Sequence, residues 1–188
     1  MKNNLVKSIR LTLVLIVLLC VVYPVFISFA GKLSKGRGDG ETISVNGKVV
    51  GYANEGQSFT QQKYFWGRPS AVGYNAAGSA GSNKGPGNPD YLKDVASRID
   101  TLLKYHQYLK RSEIPADMVT ASGSGLDPDI SPDAAKIQIK RIADNRKLTA
   151  QQVTDLVAAH TEPPLLGLFG PAKVNVLKLN VALDEFKK

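Results

Sequence analysis

Residues 11–30 read LTLVLIVLLCVVYPVFISFA, twenty consecutive residues without a charge. At about 1.5 Å of rise per residue, this run forms a helix of roughly 30 Å, the thickness of the hydrocarbon core of a bilayer. Pro24 is tolerated in a membrane helix. The run predicts a retained transmembrane helix, with residues 1–10 on one side of the membrane and residues 31–188 forming a domain on the other.

A cleaved secretory signal is the alternative interpretation of the same run. It has a basic start and a small-x-small site at Ser28-Phe29-Ala30. The apolar run exceeds the usual length of about 7–15 residues, and the bulky Phe26 and Ile27 crowd the site, which favours the retained anchor. The flanking charges do not decide the orientation, because three basic residues lie on each side: Lys2, Lys7 and Arg10 before the run, and Lys32, Lys35 and Arg37 after it. Both interpretations place residues 31–188 outside the cytoplasm.

The charge of the chain excludes a nucleic-acid-binding protein. Among 188 residues there are 24 Lys and Arg against 16 Asp and Glu, a net charge of +8 that falls to +5 after residue 10. No Lys/Arg block is interleaved with aromatic residues, and the basic stretch 136–147 is interpreted as the solvated face of a helix. Cys20, the single cysteine, lies in the apolar run, so residues 31–188 hold no disulfide or thiolate metal site.

The local patterns predict an α/β (α+β) domain with a mixed sheet and about three helices. Asn46-Gly47 between two β-branched runs indicates a hairpin over 42–52, and further strands are expected at 117–121 and 173–183. One helix is expected from the N-cap Asn88 to about Lys110, a second after the N-cap Ser131, and a third after Thr149. His106 lies on the apolar stripe of the first helix, which predicts a packed core histidine.

Residues 67–89 form a long loop between the hairpin and the first helix. Six Gly, three Pro, three Ser and three Asn occupy fifteen of its twenty-three positions. Loops of this length without secondary structure are usually functional or disordered. Since the loop carries little apolar surface of its own, we expect an outside partner to order it.

The stretch VTASGSGLDPDISPDAA (119–135) has the residue types of a nucleophile loop or a calcium site, but not the spacing. Neither Ser122 nor Ser124 has glycine two residues before and two residues after it. The aspartates do not match an EF-hand loop, and Ser131 is explained as a helix cap. The prediction is an architectural turn, with a contact surface as its further role.

The segment LTAQQ (148–152) faintly echoes the Leu-Ser-Gly-Gly-Gln element of transport ATPases, which makes Gln152 a weak nucleotide-related candidate. The Thr149–Gln152 pair also has the spacing of a capping box, which explains the same residues without a ligand. His160 has no second histidine spaced to complete a zinc site, so no metal site is predicted.

Several ordered motifs together resemble the C subunit of the Kdp potassium-transporting ATPase of bacteria. Besides the single N-terminal span, they are YFWGRPSA (64–71), YNAAGSAGSNKGPGNP (74–89), DMVTASGSGLDPDISP (117–132), HTEPPLLGLFG (160–170) and VNVLKLNVALD (174–184). The chain departs from the usual family pattern at Asp129, where histidine is common, and at Pro171-Ala172-Lys173, where Glu-Pro-Arg is common.

The resemblance implies a single-pass inner-membrane protein with a cytoplasmic N-terminus and a periplasmic main domain. It implies a non-catalytic accessory subunit beside a channel-like potassium-binding subunit, a P-type ATPase subunit and a small one-helix subunit. The family role is assembly factor and catalytic chaperone that raises the ATP affinity of the ATPase subunit. ATP and K⁺ would be handled by those partners, and this chain would hold no cofactor itself.

Candidate contact residues for these partners lie in the long loop: Gly67, Arg68, Pro69, Asn75, Ser82 and Asn83. Two other classes stay open on the residues alone, an anchored or secreted periplasmic hydrolase and a periplasmic binding protein of unknown ligand. A hydrolase would need a triad around Ser122, Ser124 or His160, and a free binding protein would need cleavage after Ala30.

Overall fold

The computed structural model describes residues 2–186. They form two compact units, one ending at Thr42 and the other beginning at Ile43. The first unit is dominated by one continuous helix made of α1 (Lys2–Val17), a π-helical turn (Leu18–Val22) and α2 (Tyr23–Gly31). The stretch Asn3–Gly31 is long and apolar enough to cross a membrane, and its most apolar window is fully exposed, as a lipid-facing helix requires.

The π-helical turn lies directly before Pro24. The Tyr23 N–H donates to the carbonyl of Leu18, five residues back. Proline has no N–H, and its ring crowds the carbonyl four residues earlier, which here belongs to Cys20. A π turn widens the helix at this place, so the helix continues past the proline.

The second unit is an α+β domain, as the sequence predicts. Its elements are β1 (Thr42–Val45, starting at the unit boundary), β2 (Lys48–Tyr52), α3 (Pro89–Tyr105), β3 (Asp129–Ile130), α4 (Pro132–Lys136), α5 (Ile139–Arg146), α6 (Ala150–Ala159), β4 (Thr161–Glu162), β5 (Lys173–Asn175) and α7 (Val176–Glu185). Over residues 43–186 there are five α-helices rather than about three. The expected second helix is divided into α4 and α5, and α7 was not expected.

The predicted hairpin over 42–52 is confirmed. Strands β1 and β2 form a two-stranded sheet around Asn46 and Gly47. Both turn residues have positive φ, 51° and 77°, which is the backbone that a two-residue hairpin turn of type I′ requires.

The other sheet has three strands in the order β3-β5-β4, with β5 in the centre. Both pairings are antiparallel, with Ile130 and Thr161 each opposite Val174. The expected mixture of parallel and antiparallel strands does not occur in this sheet. Its strands are two or three residues long, so the sheet gains most of its stability from helices packed on it rather than from its own ladder.

The prediction of one long strand over 173–183 is wrong, because the strand ends at Asn175 and α7 begins at Val176. The Asn175 side chain accepts a hydrogen bond from the Lys178 N–H at 3.0 Å and caps α7. Four of the five buried side chains that follow are spaced as on one helix face: Val176, Leu179, Asn180 and Leu183. Partial alternation in the sequence fits either structure, and the cap together with burial of this face decides for the helix.

Two further expectations are corrected. Residues 117–121 are not a strand, because a 3₁₀ helix covers Ala116–Met118 and the N–H groups of Val119 and Thr120 both donate to the Ala116 carbonyl. Helix α3 ends at Tyr105 rather than near Lys110, with His106 as its C-cap. In both places the backbone N–H groups bond to carbonyls three or four residues earlier in the chain, which forms a local turn.

The three predicted helix starts are confirmed. Asn88 accepts from the N–H groups of Asp90 and Tyr91, and Ser131 accepts from that of Ala134. Thr149 and Gln152 form a capping box in which each side chain accepts a hydrogen bond from the backbone N–H of the other residue. These caps satisfy donors that a helix start otherwise leaves free.

Two buried side-chain amides hold an irregular segment in the core. Phe65 donates its N–H to Asn180 on α7 at 2.8 Å and accepts from the same side chain at 3.0 Å. Trp66 exchanges the same pair of bonds with Gln138, at 2.8 and 3.1 Å. We call Gln138 and Asn180 the amide clamp. It supplies the hydrogen bonds that a buried, non-regular backbone would otherwise lack.

Arg141 on α5 is buried beside the clamp, with 3% of its surface exposed. It donates to the carbonyls of Gln62 and Tyr64, to Gln138 Oε1 at 2.7 Å and to His106 Nε2 at 2.9 Å. All these acceptors are neutral, and the guanidinium also lies over the Trp66 ring at 4.3 Å. The prediction that the basic residues of 136–147 form a solvated helix face is therefore wrong for Arg141. It holds for Lys136, Lys140 and Lys147, which are exposed.

His106 is a packed core histidine, as predicted from its place on the apolar stripe, and is fully buried. Its Nδ1 bonds to the Leu102 carbonyl at 2.8 Å, while Nε2 accepts from Arg141. These two bonds require the neutral ring with the proton on Nδ1. Burial lowers the pKa of His106 to about 4, and the Arg141 charge acts in the same direction, against the raising effect of the Leu102 bond.

We predict that the domain loses stability as the pH falls from 6.5 toward 4. In this window the unfolded chain protonates His106 whereas the folded chain keeps it neutral, so the depressed pKa costs stability progressively as protons are added. The gap between the two pKa values corresponds to about 3 kcal/mol at most. Thermal unfolding of the detergent-solubilised chain across this range measures the slope.

His106→Gln should reduce that slope, because glutamine can keep one neutral acceptor for Arg141 without titrating. Equal slopes for the His106→Gln variant and the wild type would contradict the assignment.

Candidate functional site

The long loop 67–89 is packed on the turn formed by residues 122–127 of the same chain. The Ser122 N–H donates to the Pro69 carbonyl at 3.0 Å, and the Ser79 hydroxyl donates to the Ser124 carbonyl at 2.9 Å. We had expected an outside partner to order the loop. The turn 122–127 of the same chain supplies part of that order, because hydrogen bonds join it to the loop at Pro69 and at Ser79.

Two glycines allow the loop and the turn to approach closely. A Cβ on Gly81 would lie 2.9 Å from the Gly123 carbonyl oxygen. A Cβ on Gly125, whose φ is +70°, would lie 2.6 Å from a Val72 methyl and 2.7 Å from the Ala80 carbonyl oxygen. Any side chain at these positions would push the segments apart, so part of the glycine content is explained by this contact.

Arg68 makes the charged contact between loop and turn. Its Nη1 lies 2.9 Å from Asp127 Oδ2, and both side chains are about one-quarter exposed, at 26% and 27%. The other carboxylate oxygen of Asp127 accepts from the Asp129 N–H at 3.0 Å. Tyr74 donates its hydroxyl to the Arg68 carbonyl. Burial raises the pKa of Tyr74, with the Asp127 charge adding to the effect, so the phenol stays protonated as a donor.

The remaining predicted contact residues divide into a base and a tip of the loop. Gly67 and Pro69 are half-buried at the base, next to Arg68. Asn75, Ser82 and Asn83 are exposed at the tip, where Asn75 caps a 3₁₀ turn over Ala76–Gly78 and Asn83 has a positive φ of 52°. The structure thus places all six on one loop without bringing them into one cluster.

A cavity of about 390 Å³ lies between the base of the loop and α3. Trp66, Tyr74 and Tyr105 give it aromatic walls, and Arg68 and Arg98 give it a cationic edge. Arg98 is held by a hydrogen bond from its Nη1 to the Val119 carbonyl at 2.9 Å. This shape suits an apolar side chain with a polar end.

The two departures from the family pattern lie side by side. Lys173 Nζ contacts Asp129 Oδ2 at 2.8 Å, across the neighbouring strands β3 and β5. The hydrogen bond that Lys173 donates to Asp129 raises the pKa of Lys173, and the negative charges of Asp129 and Glu162 also raise it. Lys173 keeps the positive charge of the arginine that is common at this position, and in this chain that charge pairs with Asp129.

The residues considered for catalysis have structural partners. Ser122 is buried and its hydroxyl accepts from the Gly125 N–H at 2.9 Å, while Ser124 accepts from Leu126. His160 Nδ1 contacts the Leu156 carbonyl at 2.9 Å. Over residues 2–186, neither histidine is hydrogen-bonded to a serine, and no group of three metal-ligating side chains occurs.

Sequence reasoning missed three parts of this site. Asp127 was considered only as a calcium ligand, not as the partner of Arg68, and Tyr74 and Gly125 were not singled out. No local signal pairs Arg68 with Asp127, which lie fifty-nine positions apart. The Gly125 position had a weaker signal, since glycine before Leu-Asp-Pro is typical of a tight turn.

These features define a class: an apolar helix able to span a membrane, followed by a small α+β domain with an ordered, glycine-rich contact loop. The model of the family described as "K+-transporting ATPase, c chain" matches residues 5–185. The chain belongs to this family, as its motifs predicted.

Relatives agree with the family match. The chain is 59% identical over 185 residues to the "Potassium-transporting ATPase KdpC subunit" of Flavobacterium johnsoniae, covering 98% of this chain and 100% of the relative. A protein of the same name from Bacteroides fragilis is 55% identical over 188 residues, with 98% of each chain covered. Another, from Caldanaerobacter subterraneus, is 47% identical over 190 residues, covering 100% of this chain and 98% of the relative.

We predict that Gly81→Ala loosens the loop from the turn. The added methyl meets the Gly123 carbonyl, so stability should fall by roughly 1–2 kcal/mol and amide hydrogen exchange over 76–85 should accelerate. Gly85→Ala is the matched control, because a Cβ there has nothing within 4 Å. Equal exchange rates in the two variants would show that the close approach does not order the loop.

Proposed function

We propose that this protein is a non-catalytic accessory subunit of an ATP-driven potassium import complex. The observation that carries the proposal is the family match over residues 5–185, together with relatives of the same length named as potassium-transporting ATPase subunits. The polar groups that a reaction centre would need are engaged within the described fold, which supports a binding role over the hydrolase alternative.

The proposed topology is a single pass through the bacterial inner membrane. Residues 1–10 would be cytoplasmic, 11–30 would span the bilayer, and 31–188 would be periplasmic. The exposed apolar helix Asn3–Gly31 supports retention as an anchor. Only ten residues precede the span, and a long following domain is translocated largely regardless of its charge, so this orientation is compatible with the balanced flanks.

The partners in this proposal are the channel-like potassium-binding subunit, the P-type ATPase subunit and the small one-helix subunit implied by the resemblance. The contact surface on this chain is the loop 67–89, with Gly67, Arg68 and Pro69 at its base and Asn75, Ser82 and Asn83 at its tip. A loop already held on the turn 122–127 loses less conformational entropy on binding than a free one. That pre-organisation supports its use as a docking surface.

The chaperone role implied by the family, raising the ATP affinity of the ATPase subunit, would act indirectly through the membrane subunits. A periplasmic domain cannot touch cytoplasmic ATP. Gln152, the weak nucleotide candidate, is engaged with Thr149 in the capping box, which accounts for it without a ligand. In this proposal K⁺ and ATP are bound by the partner subunits, and this chain needs no cofactor.

Co-expression tests the function. The tagged full chain should co-purify with a P-type ATPase subunit encoded by the same organism, and a strain lacking the chain should lose potassium uptake at low external potassium. The purified chain alone should hydrolyse no ATP. Normal uptake without the chain, or purification of the chain without any ATPase subunit, would refute the proposal.

Variants of the loop test the contact surface. Shortening residues 76–85 and, separately, Arg68→Ala should each lower complex yield and low-potassium uptake, because the first removes the tip and the second removes the charge at the base. Asp127→Asn is the control: it removes the internal ion pair but leaves the Arg68 cation and an amide oxygen to accept its hydrogen bond. Wild-type yield and uptake in both loop variants would show that the loop is only a connector.

A further inference from the structure

The turn between β4 and β5 exposes a compact apolar surface. Residues 163–170, which we call the apolar tip, read PPLLGLFG. Leu165, Leu166, Leu168 and Phe169 are 69, 80, 81 and 62% exposed. Over residues 43–186 the other exposed large apolar side chains are Val49, Val50 and Tyr52 on β2, Leu92 on α3, and Tyr108 after α3. A contiguous exposed patch of this kind marks an interaction site.

The backbone of the apolar tip has a defined shape. Leu165 and Phe169 exchange two backbone hydrogen bonds, 2.9 and 3.0 Å long. Gly167 donates to the Pro164 carbonyl at 2.9 Å, and Leu166 and Gly167 both have positive φ, 55° and 73°. The four apolar side chains are therefore presented by a closed turn, in a form that a complementary pocket can recognise.

The charges around the apolar tip favour a protein partner over a lipid surface. Residues 163–172 contain no Lys or Arg and no Trp or Tyr, the residue types that anchor a segment at a bilayer interface. The next cations along the chain, Lys173 and Lys178, are both within 3.7 Å of Glu162, and Lys173 is also bonded to Asp129. Their attraction to anionic headgroups is largely neutralised.

The residues that follow the apolar tip lie close to the ion pair between the loop 67–89 and the turn 122–127. A cavity of about 510 Å³ is lined by Pro171 and Lys173 on one side and by the Arg68–Asp127 pair on the other. Among the described residues, the buried atoms without a hydrogen-bond partner are Arg68 Nε and Asp129 Oδ1, and both residues line this cavity. The residues that directly follow the apolar tip in the chain thus border a cavity with spare hydrogen-bonding capacity.

We propose that the apolar tip inserts into an apolar pocket, with a polar rim, on the extracytoplasmic surface of a membrane-embedded transport subunit. This inference rests on the proposed function, because it takes that subunit as the partner. The tip supplies the buried apolar anchor, and the cavity beside it receives the polar rim of the same partner. It is a second contact, separate in sequence from the loop 67–89.

The first test is the yield of the complex. Leu166→Asp combined with Leu168→Asp should lower recovery of the partner subunits by roughly tenfold or more, as expected for loss of a buried anchor. Leu92→Asp is the matched control, an exposed leucine on α3 of the same domain, and should leave recovery unchanged. Unchanged thermal unfolding of the solubilised chain should confirm that the double variant folds.

The second test distinguishes protein from lipid. In a Cys20→Ser background, Leu168→Cys is labelled with an environment-sensitive fluorophore in nanodiscs. The emission should shift to the blue only when the partner subunits are present. A shift in nanodiscs with this chain alone, quenched by brominated lipid, would show membrane insertion instead and overturn the proposal.

The outcomes also separate the two proposals. If the wild-type chain recovers the partner subunits and the double variant recovers them equally well, the apolar tip is not an anchor although the proposed function stands. If the wild-type chain recovers none, the proposed function fails and this inference fails with it.

Discussion

The fold of the domain depends on how an irregular backbone is buried. Phe65 and Trp66 cross the core outside any helix or strand, and Phe65 is completely buried. Their N–H and C=O groups would be orphaned there, at a cost of about 1–3 kcal/mol each. Asn180 and Gln138 each offer one donor and one acceptor to one residue of the segment, as a neighbouring strand would. The amide clamp thereby ties α5, α7 and this segment together.

The same clamp orients the charged part of the core. Gln138 Oε1 accepts from both Trp66 and Arg141, so the guanidinium is fixed relative to the buried backbone. Burial lowers the pKa of Arg141 to about 10, which still leaves the side chain charged near neutral pH. The neutral His106 ring and the carbonyls of Gln62 and Tyr64 accept three further hydrogen bonds from Arg141. The loop 67–89 begins directly after Trp66, so its base is anchored by the hydrogen bonds of the amide clamp.

Features governed by short-range chemistry were predictable. The span, the Asn46-Gly47 hairpin and the caps at Asn88, Ser131 and Thr149 each depend on residues within a few positions of one another, and each is present. The secondary-structure predictions failed where one stretch of sequence is compatible with two local structures. Residues 173–183 alternate enough for a strand, but the Asn175 cap and the burial of Leu179, Asn180 and Leu183 select a helix. For the site, the loop and the turn were each recognisable from composition, whereas their contact with one another was not.

The sequence alone determined the family, the single apolar span, the α+β class and the position of the glycine-rich loop, because these are written in local composition, spacing and motif order. Only the tertiary structure decided that Arg141 is buried, that Arg68 pairs with Asp127, that Lys173 matches Asp129 and that residues 163–170 project an apolar surface. Each of these depends on which distant segments meet and which side chains remain uncovered. Burial and long-range hydrogen bonding are properties of the packed chain, and no local pattern specifies them.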